Sequence, residues 1–238
     1  MKTQDSNQHW LATHAVLVGL TPLIPVPFLD DVVKSYFRRR LVRQLAASHG
    51  RELGAAELDA LVKEDDGGCL RGCLMTALVY PLKKVFAKVF YFLEWKRAAD
   101  LTSHTYHFGY LMNYALRRGP DGRSLLDARG ADAVGAAVAA VVREAPIKPV
   151  EGAVTATFRQ SRKVLRGGAE LLGASLRRLT RRAPAEQVAE AIEEVEPQEQ
   201  REIAPVAERL QRAVAAVPEE HFARLRSGLH ERLDRSGP

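Results

Sequence analysis

Thr21-Pro22-Leu23-Ile24-Pro25-Val26-Pro27-Phe28-Leu29-Asp30-Asp31 is the stretch on which the fold turns. Pro22, Pro25 and Pro27 cannot share one α-helix, because each lacks an amide hydrogen and its ring crowds the carbonyl one turn back. The mostly apolar residues before them, 8–20, therefore read as a helix that ends here. Asp30 and Asp31 suit the start of a second helix, where free amides and the helix dipole favour negative charge. Val33, Phe37, Leu41 and Leu45 then recur every fourth residue, which predicts a helix to about Ser48 with Gly50 as its stop. The stretch is thus a corner between two apolar helices.

The competing reading is a membrane span. Trp10 to Leu29 is long enough for one, but Thr13, His14, Thr21 and the three prolines oppose it. Only Lys2 precedes Asp5 and no A-x-A site follows, so no cleaved leader is expected. Were the stretch to enter a bilayer, Lys34 and Arg38-Arg39-Arg40 would follow it, and the body of the protein would stay cytoplasmic.

Outward from the corner, the chain of 238 residues keeps a helical character. Hydrophobic residues make up 46% but aromatics only 7%, and alanine, leucine, arginine and valine dominate, which favours helices over strands. The expected fold is an all-α, multi-helix bundle with proline-broken hydrophobic hairpins. Short helices are predicted at 55–64 and, after the loop Asp65-Asp66-Gly67-Gly68, a second apolar stretch at 69–99 is kinked by Pro81. In it Leu82, Val85, Phe86, Val89 and Leu93 lie on one side and Lys84 and Lys88 on the other, as in an interfacial helix or a bundle helix. Asp100 is read as the cap of a further helix to Arg118, and Gly119-Pro120-Asp121-Gly122 as a turn. Helices follow at 131–144, at 150–182 with a break at Gly167-Gly168, at 184–194, at 206–217 and at 219–233, with Pro197 and Pro205 flanking a connector. The expected units are a hairpin domain 1–119, a basic segment 120–183 and acidic C-terminal helices 184–238, able to pack as one domain.

Charge is segregated. Residues 1–119 carry 16 basic and 11 acidic side chains, residues 120–182 carry 12 and 6, and residues 183–238 carry 7 and 12. The basic run Arg159, Arg162, Lys163, Arg166, Arg177, Arg178, Arg181 and Arg182 contains one acid, Glu170. A solvated face docking on the acidic segment 186–202 ranks first, an anionic lipid surface second. Nucleic acid ranks last, for want of interleaved aromatics that would stack on bases. Lys84 and Lys88 belong with the anionic-surface residues.

Catalytic motifs are absent from the sequence. There is no G-x-x-x-x-G-K-[ST], no G-x-S-x-G and no H-E-x-x-H. Cys69 and Cys73 stand one turn apart, too few for a disulfide framework, and fit small buried side chains in a reducing compartment. Asp100, His104 and His107 fall on one helical face and form the one constellation with metal-ligand or acid–base spacing. The same pattern also serves as core filler with satisfied polar tips. No cofactor is expected.

Residues 18–53 resemble a bacterial family of helical domains of unknown function that occur fused to, or encoded beside, Era-like GTPases. The matching residues are Gly19, Ile24, Pro25, Pro27, Asp30 or Asp31, Leu45, Ala46 and Gly50. Phe28-Leu29 stands where a glycine and a small residue are usual, and His49 replaces a tyrosine. The later helices are similar, more loosely, to EcsC-type proteins. The resemblance implies a non-enzymatic accessory protein at the cytoplasmic face of the inner membrane or on a protein partner, such as a GTPase encoded separately.

Overall fold

The computed structural model describes residues 2–24, 30–63, 87–146, 148–177, 179 and 183–235, and of residues 2–6, 30 and 87–92 the backbone path alone. Pro25, Pro27, Cys69, Cys73, Lys84, Arg178, Arg181 and Arg182 lie outside the described residues, as do the side chains of Asp30 and Lys88. The regular elements among the described residues are helices, with no strand among them.

Helix α1 (Lys2–Leu20) is buried on all sides from Leu11 to Leu20. Pro22 sits in the 3-10 turn Thr21–Leu23, and the Thr21 hydroxyl donates to the Val18 carbonyl at 2.9 Å, closing the helix end. Helix α2 (Asp30–Ser48) buries Val33, Phe37, Leu41 and Leu45 as their spacing requires. It ends at Gly50, whose φ of 69° lets the Gly50 and Arg51 amides turn back onto the Ala47 and Ala46 carbonyls. Helix α3 (Ala55–Val62) follows, its entry held by the Gly54 amide donating to Glu57.

Helix α4 (Ala87–Leu116) is the central column, packed by α1 and α2 and by four later helices. It corrects the expected start at Asp100, which lies inside the helix. Ala98 and Ala99 are strong helix formers with no Pro or Gly beside them, and both are buried, so nothing stops the helix there. Helix α5 (Leu125–Arg129) is capped by Ser124, whose Oγ accepts from the Asp127 amide at 3.1 Å. Helix α6 (Ala131–Glu144) has the predicted bounds and stops before Pro146.

Helices α7 (Lys148–Leu176) and α8 (Ala185–Ala215) form an antiparallel pair, followed by α9 (Glu219–Arg235). Two expected breaks do not occur. Gly167-Gly168 continues α7, because Gly168 serves close packing: a Cβ there would stand 3.2 Å from Ile203 and 3.3 Å from Leu20. Pro197 and Pro205 lie inside α8. Both prolines and the residues four before them, Glu193 and Arg201, are exposed, so the carbonyls freed by the missing amides face water. Val188, Ile192, Ile203, Val206, Leu210 and Val214 bury the opposite side and hold the helix together.

One core cluster runs from Leu11 to Leu233 and draws on all three charge segments. Helix α1 meets α4 closely at Gly19. A Cβ on Gly19 would stand 1.8 Å from the Thr102 Oγ and 3.0 Å from the Ala98 carbonyl oxygen. Gly19→Ala should therefore cost about 2 kcal/mol by overpacking. Thr102→Ala should relieve part of that loss, so a double-mutant cycle in urea should show favourable coupling; additivity would place the strain elsewhere.

Candidate functional site

No described helix is long and apolar enough to cross a membrane. The three arginines that would have flanked a span are used within the fold. The Arg38 guanidinium lies 4.1 Å from the centre of the Phe108 ring, and its burial lowers its pKa to about 10. Arg39 pairs with Asp59 at 2.5 Å and Arg40 with Glu196 at 2.6 Å.

Asp100, His104 and His107 remain neighbours on α4 but differ in burial and partners. His104 is half-buried; burial lowers its pKa while Asp100 opposes that shift. His107 is fully buried and turns to α9 instead. Its Nδ1 stands 2.7 Å from the Ser103 carbonyl oxygen, so it must carry the hydrogen and donate. Its Nε2 is then a lone pair, 2.8 Å from His221 Nε2, which donates to it. Both rings are neutral: burial lowers His107 to about 4 and lowers His221 as well. With both nitrogens of His107 occupied, no lone pair remains for a metal. Among the described residues no group of three or more His, Cys, Asp or Glu could hold one. The pair instead starts a polar seam between α4 and α9. It continues through Tyr110 with Arg226 and through Tyr114 with His230 at 2.9 Å.

The basic run lies on a helix that also packs by apolar contact. Helix α7 packs against α8, buries Val154, Leu165, Ala169, Leu172 and Leu176, and is joined to α8 by hydrogen bonds. In these Arg209 donates to the Ser161 hydroxyl at 2.7 Å and the Ser175 hydroxyl to the Ala191 carbonyl at 2.6 Å. Arg159, Arg162, Lys163, Arg166 and Arg177 are all exposed, on the side of α7 turned from the core. At 1.5 Å per residue the stripe is about 27 Å long. Trp95 of α4 supports it: its ring meets Phe158 edge-on, with centroids 6.2 Å apart, and the Arg162 guanidinium lies 6.0 Å above it.

Two buried acids on α8 escaped the sequence reading. Glu196 accepts from Arg40 and from Gln200 at 2.7 Å; burial nonetheless raises its pKa. Glu199 is 0% exposed and neither carboxyl oxygen has a hydrogen-bond partner. A signal for both was present. Ile192, Glu196, Glu199, Ile203, Val206 and Leu210 alternate four and three apart, which places the two glutamates on the buried face of one continuous helix. Breaking the helix at Pro197 hid that register.

Comparison with known proteins brings no relative. Neither a family model, a curated protein nor a solved structure matches this chain. The buried seam and the exposed stripe therefore stand on their own chemistry.

Proposed function

We propose that this protein is a non-enzymatic helical accessory protein that docks on an anionic membrane surface through the outer face of α7. The observation that carries the reading is the exposure of Arg159, Arg162, Lys163, Arg166 and Arg177 along one stripe. Each cation near an anionic bilayer contributes about 1 kcal/mol, so five together support reversible docking without any span. Trp95 sits against Phe158 and beneath Arg162 rather than open to a base, which favours lipid over nucleic acid. The resemblance of residues 18–53 to membrane-associated helical domains points the same way.

Vesicle flotation tests the proposal. The protein should float with vesicles containing phosphatidylserine and stay behind with phosphatidylcholine alone. Binding should fall steeply with added salt. The charge reversal Arg159→Glu, Arg162→Glu and Lys163→Glu should abolish flotation while leaving the melting curve in place, because these side chains lie outside the core. Flotation that survives the reversal, or none with either lipid, rejects the reading.

A further inference from the structure

Helix α8 covers α1 as well as α7, and Glu199 sits at the junction of the three. One point on Gly168, where a Cβ would stand, lies 3.2 Å from Ile203 Cγ2, 3.3 Å from Leu20 Cδ1 and 4.0 Å from Glu199 Oε1. The carboxyl is thus set among methyl groups, opposite a residue with no side chain. Pro197 and Pro205 bracket it and remove two amide hydrogens from that part of the helix. The geometry points to a gate: α8 is a strap closed over the Leu20 end of α1 while Glu199 is protonated, and it loosens between the two prolines when that proton is lost.

The surroundings supply nothing to stabilise the ionised form. Burial, then the like charges of Glu196 and Glu202, push the Glu199 carboxyl well above the ordinary carboxylate range. From α2, Tyr36 and Arg40 are engaged with Glu196. From α1, His14 is neutral and bonded to the Trp10 carbonyl, at 2.9 Å. From α7, Arg166 and Glu170 are exposed on the outer side. An ionised Glu199 therefore has to reach water, and the route is outward movement of α8. The sign follows from linkage. A carboxyl whose pKa is raised by folding holds the closed form at low pH, and that advantage is lost as pH rises from the unfolded value toward the folded one. The opening does not depend on lipid, so it stands or falls separately from the docking of α7.

Hydrogen exchange of the whole chain, read by segment and corrected for intrinsic rates, tests this. In the wild type, exchange across 192–206 should speed up relative to α4 by as much as about tenfold per pH unit as pH rises out of the ordinary carboxylate range. Glu199→Gln keeps the shape without the ionisation and should remove that pH dependence. Glu199→Met, apolar and similar in volume, should do the same if the amide is poorly tolerated. Glu196→Gln should leave it in place. Equal exchange in 192–206 for wild type and both Glu199 variants at every pH would overturn the gate. So would the same pH dependence in α4 as in α8.

Discussion

Gly135→Ala is expected to destabilise the protein by about 3 kcal/mol, although alanine is ordinarily the better residue inside a helix. Two effects compete. Replacing glycine by alanine in a helix interior gains about 1 kcal/mol. At Gly135, however, the new Cβ would stand 2.2 Å from the Ala60 carbonyl oxygen and 3.1 Å from the Leu61 Cα. These are backbone atoms of α3, so no rotamer change relieves the clash and the α3–α6 seam has to open. Overpacking of this kind costs roughly 1–3 kcal/mol and more where backbone has to move. Gly152, on the exposed face of α7, is the internal control: a Cβ there meets nothing within 4 Å. Gly152→Ala should stabilise by about 0.5–1 kcal/mol. Urea unfolding of the two variants should shift the midpoint in opposite directions; shifts of the same sign would mean that α3 and α6 are not packed this closely.

The readable parts of the fold were those decided locally. Proline chemistry placed the end of α1, the four-residue spacing of Val33 to Leu45 placed α2, and Gly50 closed it through its positive φ. Helix α6 matched because Gly130 and Pro146 bound it on both sides. The misread parts were those where packing outweighs local cost. An interior proline costs a helix about 3 kcal/mol or more. In α8 the apolar side from Val188 to Val214 more than offsets that, with the broken bonds facing water. The span from Lys96 to His104 likewise holds no local stop, so Asp100, a residue type that suits caps, lies inside the helix.

The sites divide in the same way. The exposed stripe on α7 follows from residue spacing alone, since any helix through Arg159, Arg162, Lys163 and Arg166 places them together. The partner of His107 does not. His221 is 114 residues away and meets it only because α9 folds back on α4. Glu199 was legible in principle, through the register of α8, once the helix is allowed to run through Pro197.

Acid should weaken the protein well before its carboxylates titrate, and the buried histidines set the range. His14 and His107 are each held neutral by burial, with folded values lowered to about 4 against 6.5 unfolded. Above pH 6.5 both states are neutral and nothing is lost. As pH falls from 6.5 toward 4 the unfolded chain takes up protons that the folded chain refuses, so stability declines. Each histidine contributes about 3 kcal/mol over that window, from 1.4 kcal/mol per pH unit. Glu199 works against them, because its raised carboxyl favours the folded state as pH falls. His104 and His221, also lowered by burial, add to the loss. The urea midpoint should therefore drop steadily below pH 6.5. His107→Asn keeps a donor for the Ser103 carbonyl, and His14→Asn keeps one for Trp10. Each should reduce the pH slope and the double variant should reduce it further, the remainder coming from His104 and His221, which burial also lowers, and from Glu199 acting against them. A slope unchanged in the double variant would show that these two rings do not govern the acid response.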